Sequence, residues 1–380
     1  MINNVKNAQK NTIEKTDLYN SESPQYYDMV VFCHLRWQFV YQRPQHIIGR
    51  FSSEMKILFI EEPIGDENSK ENSGNLLTVT KTLHVLQPYV KDIESIAAIL
   101  PNYIKNKTIP IGWFYSASFS PLLEKINFET LVYDCMDELS LFKGAPVHLI
   151  DQEKYLMAYA DIIFTGGKSL YQSKKQHHSN VYCFPSSVDQ AHFAKALNGI
   201  EIAADIAGIP SPIVGYYGVI DERIDLQLLH ETSKKMPNVS FVMIGPLAKI
   251  EDADLPKEKN IHYLGMKSYN ELPAYLKAFD IAMMPFALND ATKYISPTKT
   301  LEYMAAGKPI ISTKITDVVR DYSDSVKLIE NADEFCSAIK TLADQKNLLT
   351  TGRHYDAILE KTSWDATVDK MKSIIKKFAK

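Results

Sequence analysis

The sequence predicts an α/β protein of more than one domain, with strands that are mostly parallel and covered on both faces. Three observations carry that prediction. The chain has 380 residues, which allows two or three domains with sizeable cores. Short apolar runs that read as strands alternate with helical patterns along most of its length. The stretch 295–313 joins a loop, a short helix and a buried strand, and the rest of the chain is organised around it.

Composition narrows the class. Apolar residues make up 45% and charged residues 23%, which are ordinary globular values. The net charge of −4, from 42 basic and 46 acidic residues, argues against bulk capture of nucleic acid. The four cysteines, Cys33, Cys135, Cys183 and Cys336, are widely spaced without a CxxC pair, and read as buried thiols of a reducing cytosol. No apolar run approaches a membrane span, and the N-terminus lacks the apolar core of a signal peptide. Residues 1–25 are polar and read as a disordered tail, so the expectation is a cytoplasmic protein.

In chain order, 27–33 is an apolar run bounded by polar residues, hence a buried strand. Pro44 at a helix start, followed by Ile47, Ile48 and Phe51, gives the first crossover helix, and 56–60 the second strand. Ligands of a doubly wound sheet lie beyond the carboxyl ends of its strands, which places His34, Arg36, Trp37 and Arg43 at the crevice. No GxGxxG follows the first strand, so a dinucleotide fingerprint is absent. For His34 the competing reading is a histidine at the edge of the core.

The run 130–140 is a strand ending in Asp134, Asp137 and Glu138. Carboxylates at that edge could supply a general base, with Asp137 preferred; helix capping by Asp134 or Asp137 is the competing reading. The run 161–169 ends in Gly166-Gly167-Lys168-Ser169, like a phosphate loop, but Ile162 stands where the first glycine is needed. It therefore reads as strand, glycine turn and helix. His177 and His178 lie in a lysine-rich polar stretch and do not suggest a metal site.

Residues 195–212 lack a strong period, which suits a linker. Beyond it, 212–225 reads as strand, glycine turn and helix, a place where backbone approaches phosphate closely. Arg223 is the cation of that turn, or else the partner of Asp225 or Glu222. Strands at 239–244, 261–265 and 280–286 continue the alternation, and 364–380 is an amphipathic basic helix. Its lysines, Lys370, Lys372, Lys376, Lys377 and Lys380, are a solvated face or a weak attraction to anionic lipid headgroups.

In the central stretch, Ser296 or Thr298 can cap a helix over 298–306, and Gly307 suits a left-handed C-terminal cap. Lys299 and Glu302 are three apart and share a face, while Leu301, Met304 and Ala305 turn to the core. Hydroxyls and a lysine at a helix N-terminus suit an anion. A carboxylate one turn later could accept two hydrogen bonds from a ribose diol. Together they suit a nucleoside diphosphate; a plain surface ion pair is the alternative.

Glu302-Tyr303-Met304-Ala305-Ala306-Gly307-Lys308-Pro309-Ile310 resembles the E-A-M-A-x-G-x-P-V segment of nucleotide-sugar glycosyltransferases of the GT-B fold, family 4 type. The run 294–313 is similar to a bacterial subgroup that includes teichuronic acid biosynthesis glycosyltransferases. The run 184–193 resembles the P-x-G-V-D-x-x-x-F segment that ends the first domain of such enzymes, with Ser187 in place of the glycine. The resemblance implies two Rossmann-like, doubly wound domains facing a cleft. The first, 26–188, would take the acceptor; a linker, 189–211, would lead to the nucleotide-sugar domain, 212–358; and 359–380 would pack back on the first domain.

The resemblance also implies roles. Gly218, Arg223, Gly265, Met266, Ser296, Thr298, Lys299, Thr300 and Glu302 would bind the donor, a UDP-sugar before a GDP-sugar. Arg36, Trp37, Arg43 and Tyr294 would line the acceptor side, with Asp137, Asp134 and His34 as catalytic candidates. Lys299, Arg223 and the helix N-terminus would neutralise the leaving diphosphate, so no metal or other cofactor is required. The acceptor would be a cell-surface polysaccharide, a glycolipid or another glycan, met at the inner face of the plasma membrane if the basic helix docks there. The pattern places a glutamate eight positions before Glu302, where this chain has Tyr294. That departure leaves retention and inversion both open, and keeps two alternatives: a nucleotide-sugar epimerase of the same fold, and a non-catalytic nucleotide-sugar-binding subunit.

Overall fold

The computed structural model describes residues 23–65, 72–344 and 355–378. The polar tail expected at 1–25 lies almost wholly outside the described residues. The first domain is an eight-stranded sheet, in order β3-β4-β2-β1-β5-β6-β7-β8. Its strands are β1 (Met29–Cys33), β2 (Ile57–Glu61), β3 (Ser73–Thr78), β4 (Leu83–Tyr89), β5 (Thr108–Phe114), β6 (Asn127–Cys135), β7 (Ile162–Thr165) and β8 (Val181–Cys183). All neighbours are parallel except β3 and β4, an antiparallel hairpin at one edge. The second sheet is six-stranded, in order β11-β10-β9-β12-β13-β14, and wholly parallel. It is formed by β9 (Ile213–Tyr217), β10 (Ser240–Ile244), β11 (Ile261–Tyr263), β12 (Ile281–Met284), β13 (Ile310–Thr313) and β14 (Lys327–Ile329).

The near-continuous apolar runs follow from burial on both faces. In β1, Val30 and Phe32 enter one core, while Met29, Val31 and Cys33 enter the core on the other side of the sheet. Strand order reverses between β1 and β5, and again between β9 and β12. At such reversals the crossovers leave to opposite faces and open a crevice at the carboxyl ends. Asp280 fixes the start of β9, accepting a 2.7 Å hydrogen bond from the Ile213 N–H.

The stretch 189–211 is not a loose linker. It holds short helices at Gln190–Phe193 and Ala204–Ala207, and Phe193, Ala196 and Ile206 pack into the core of the second domain. Helices this short show no usable period in sequence. The C-terminal helix Trp364–Ile375 starts where the Ser363 side chain accepts from the Ala366 N–H, and lays Trp364, Val368, Met371 and Ile375 on the first domain. Of its lysines, Lys372 is held by Glu54 at 2.8 Å, and Lys380 lies outside the described residues.

An aromatic cluster joins these parts. The His46 ring stacks on Trp364 with centroids 4.7 Å apart, and meets Tyr41 and Tyr269 edge-on. Tyr269 stacks in turn on His192 at 4.2 Å. First domain, second domain, connecting segment and C-terminal helix therefore touch at one place. Among the described residues, no helix is long and apolar enough to cross a membrane, and all four cysteines are free.

Burial, with Arg50 and His192 adding to it, pushes the His46 imidazole down from 6.5 to about 3. A base with a depressed folded pKa takes its proton preferentially in the unfolded chain. The stability it contributes is complete above pH 6.5 and is lost as pH falls toward 3. Chemical denaturation between pH 7 and 4 should therefore show a shallower loss of stability for His46→Gln than for the wild type. The difference in slope should approach about 1.4 kcal/mol per pH unit.

Candidate active site

Three parallel strands end side by side in glycine turns. The Gly218 N–H after β9 donates to the Ile244 carbonyl at 2.8 Å, and the Gly245 N–H after β10 donates to the Gly265 carbonyl at 2.9 Å. Gly218 and Gly245 have φ of 140° and 146°, which L side chains rarely adopt. Space is equally restrictive: a Cβ on Gly245 would lie 1.8 Å from the Gly218 carbonyl oxygen. A Cβ on Gly218 would lie 2.3 Å from Lys299 Cε. The absence of a side chain at Gly218 is what lets Lys299 lie over the turn.

Lys299 begins the helix Lys299–Ala305, whose inward residues Thr300, Leu301, Tyr303 and Met304 are buried. Gly307 ends it with φ of 65° and β13 follows, as the sequence predicts. Neither Ser296 nor Thr298 caps it with a side chain. The Ser186 hydroxyl takes both instead, lying 3.1 Å from the Ser296 carbonyl oxygen and 3.1 Å from Thr298 Oγ1. Thr300 is no donor-site residue: its Oγ1 turns inward to Met284 Sδ at 3.5 Å. The helix crosses the core at that point, so its third hydroxyl falls on the buried side.

Lys299 and Glu302 form no surface ion pair. Lys299 Nζ lies 5.6 Å from the centre of the Tyr216 ring. Glu302 is buried, with Oε2 accepting from the Tyr217 hydroxyl at 2.5 Å. Burial raises the Glu302 pKa, while the Tyr217 hydrogen bond and Lys299 oppose the rise. Burial lowers the Lys299 pKa, Glu302 opposes, and Arg223 adds to the lowering. Arg223 pairs with neither Asp225 nor Glu222 but with Asp221, its Nη2 lying 2.7 Å from Oδ2. Asp225 instead caps the helix Leu226–Lys235. Gly265 has φ of 68° beside the exposed Met266.

The first domain supplies the opposite lip. Asp137 follows β6, and its carboxylate has no hydrogen bond among the described residues. Burial raises its pKa, with Arg223, Lys299 and Arg43 acting against the rise and Asp221 with it. His34 follows β1, and burial, helped by Lys249 of the second domain, pushes its pKa down to about 4, so it is neutral near pH 7. The Phe142 ring lies under both Arg223 and Lys249, 5.4 and 4.8 Å from its centre. Glu222 accepts from the Lys143 N–H at 3.1 Å, closing the same side.

Other candidates have different work. Asp134 is fully buried and accepts from Arg43 Nε and Nη2 at 3.1 and 2.9 Å, while Arg43 Nη1 reaches the Phe184 carbonyl at 2.7 Å. Asp134 is thus neither catalytic nor a helix cap, and Arg43 does not line the cleft. Arg36 is held by Glu61 at 3.1 Å, and the Trp37 N–H donates to the same carboxylate at 2.8 Å. The Trp37 ring packs edge-on against Phe59. Tyr294 lies under Lys293 and packs against the core of the first domain. Tyr217, Asp221, Gly245 and Ser186 were not singled out in the sequence. Only Gly245, in a Gly-Pro pair closing a strand, carried a local signal.

Among the described residues, no three His, Cys, Asp or Glu side chains gather in a way that could hold a metal ion. The cations at the cleft are Lys299 and Arg223.

Residues 211–345 match the family described as Glycosyl transferases group 1. Over 222 residues the chain is 21% identical to a Bacillus subtilis (strain 168) protein named as a teichuronic acid biosynthesis glycosyltransferase, TuaH. That match covers 53% of this chain and 55% of TuaH, so the chain spans about half the length of the relative it matches. Among solved structures it is similar to sucrose-phosphate synthase from Thermosynechococcus elongatus, at 12% identity and a TM-score of 0.67, over 93% of this chain and 98% of that one. It is also similar to Anabaena Alr3699/HepE in complex with UDP, at 12% identity and a TM-score of 0.63, over 92% and 100% of the chains. A third is the E. coli trehalose-6-phosphate protein bound with UDP-2-fluoro glucose, at 10% identity and a TM-score of 0.65, over 92% and 98%. At these identities the likeness is one of fold. The fold is GT-B, and the chain resembles glycosyltransferases, TuaH among them.

A buried ion pair that loses one partner leaves an uncompensated charge. Arg43→Ala should therefore cost about 3–5 kcal/mol by chemical denaturation. Replacing Arg43 and Asp134 together by apolar residues should cost less than Arg43→Ala alone.

Proposed function

We propose that this GT-B chain, resembling the group 1 glycosyltransferases, is itself a glycosyltransferase that moves a sugar from a nucleoside-diphosphate sugar to a glycan or lipid-linked acceptor. The observation that carries the reading is Lys299 lying over the side-chain-free Gly218 turn, with Arg223 beside it and Glu302 one helical turn further on. Cations over a glycine turn suit a diphosphate, and a carboxylate one turn away suits a ribose diol. UDP is the favoured nucleotide, since two of the structures similar in fold carry UDP or a UDP-sugar.

In the reaction, the bond between the anomeric carbon and the β-phosphate oxygen breaks and an acceptor hydroxyl oxygen bonds to that carbon. The leaving diphosphate gains a negative charge as the bond breaks. Lys299 and Arg223 act as fixed counter-charges in a site of low dielectric, where they favour the transition state over the ground state. No metal ion is required in this reading, because those cations occupy the place a divalent ion would serve. The acceptor proton passes to a base, for which Asp137 is the candidate: its carboxylate is half-buried, has no hydrogen bond among the described residues, and has its pKa raised by burial. Neutral His34 offers the acceptor a hydrogen bond.

The test is nucleotide-induced stabilisation by UDP, GDP, ADP and dTDP, in buffer with EDTA. A ligand at 100 times its dissociation constant stabilises by about 2.7 kcal/mol. UDP should raise the melting temperature of the wild type, and Lys299→Ala and Glu302→Ala should lose the rise. Normal responses in both variants would refute the donor site.

A further inference from the structure

The corner Gly166-Gly167-Lys168-Ser169 resembles a phosphate loop, yet its helix N-terminus is already filled. Asp317, buried in the second domain, accepts from the Lys168 N–H at 3.0 Å and from the Ser169 N–H at 3.5 Å. The Ser169 hydroxyl donates to its other oxygen. Arg320 balances the carboxylate at 2.8 Å, and Lys168 Nζ crosses to Asp321 at 2.5 Å. A carboxylate of one domain thus caps a helix, Lys168–Lys174, of the other.

The two glycines are there for space. Gly167 has φ of −163°, extended backbone open to any residue. A Cβ on it would nonetheless lie 2.7 Å from Asp317 Oδ2 and 3.0 Å from Ser296 Cβ. A Cβ on Gly166 would lie 2.8 Å from the Met136 carbonyl oxygen. Met136 immediately precedes Asp137, and Ser296 lies on the loop that leads into Lys299. The glycine pair is therefore clamped between the Met136 backbone on one lip of the cleft and the Asp317 and Ser296 side chains on the other.

We propose that this corner is a joint that sets the separation of Asp137 from Lys299, and that Asp317 is the positioning residue that holds it closed. The joint acts through Met136 on one side and the Ser296 loop on the other. Ser186 ties the same loop from the first domain. The effect on chemistry rests on the transferase reading, but the mechanical role does not. Because interiors are close-packed, a methyl group at Gly167 must displace the Asp317 carboxylate that caps the helix, and press on Ser296.

The test compares full-length wild type, Gly167→Ala, Asp317→Asn and Asp317→Ala by small-angle X-ray scattering, with melting curves to verify folding. Asp317→Ala and Gly167→Ala should show a larger radius of gyration than the wild type. Asp317→Asn keeps an acceptor oxygen, so it should lie between. Identical scattering from the folded variants would overturn the proposal. The variant Gly167→Ala, free of backbone strain, keeps it testable if Asp317→Ala does not fold. With UDP as probe, affinity should stay within about twofold of the wild type, because its site lies in the second domain. Turnover should fall by about tenfold or more at an unchanged donor KM. Loss of UDP affinity in step with turnover would reduce the joint to a support of the second domain and refute it. If UDP does not bind the wild type, the transferase reading fails, and scattering alone decides the joint.

Discussion

The site depends on a contact with no room in it: the turn after β10 presses on the turn after β9 so closely that a Cβ on Gly245 would fall 1.8 Å from the Gly218 carbonyl oxygen. Both turns take backbone conformations that favour glycine. Without side chains there, the carboxyl ends of β9 and β10 form a bare backbone floor. Lys299 extends across that floor from a helix that approaches it from the other side of the strand reversal. A lysine is a flexible point charge, and it stays where it is needed only if the surface beneath it is shaped for it. Here the shape is made by what is absent.

Charges buried or half-buried in this chain fall into two kinds, and the difference separates scaffold from candidate site. Arg43 with Asp134, and Lys174 with Glu138 and Glu153, are satisfied by partners at 2.7–3.1 Å. Lys174 shows what satisfaction does: despite burial, which opposes it, its carboxylates and Cys135 raise its pKa. Lys299 and Asp137 show the reverse, each pushed toward its neutral form by burial. An incompletely paired charge in a crevice is costly to keep, and structural roles do not call for it. That contrast, rather than proximity to a strand end, removes Asp134 from the catalytic candidates and retains Asp137.

What was legible in the sequence is what is local. Apolar runs of about five residues locate most strands, and the hydroxyls, Lys299, Glu302 and Gly307 mark the central helix by local pattern alone. Partner choice was not legible. Arg223 could have met Glu222 or Asp225, and only the backbone path of the turn brings Asp221 to its guanidinium. Thr300 resembles Thr298 in sequence, yet a step of two residues rotates a helix by about 200° and takes the hydroxyl from the cleft into the core. Tyr217 reaches Glu302 across 85 positions, and Ser186 reaches Thr298 across 112; neither pairing leaves a periodic trace. The segment 189–211 failed as a linker for a related reason, since its anchors are single side chains on very short helices.

Those anchors explain how two separately folded sheets share one cleft. Phe193 and Ile206 commit the connecting segment to the second domain, and Trp364 commits the C-terminal helix to the first. The chain thus crosses between domains twice, and both crossings pass the cluster where His46 stacks on Trp364 and His192 stacks on Tyr269. Stacked rings tolerate sliding and small rotation better than hydrogen bonds do, because their attraction varies gently with offset. Hydrogen bonds, by contrast, weaken steeply as they bend, and it is hydrogen bonds that cap the Lys168–Lys174 helix from Asp317. The domains are therefore joined by a compliant contact where the chain crosses and a directional one beside Met136 and the Ser296 loop.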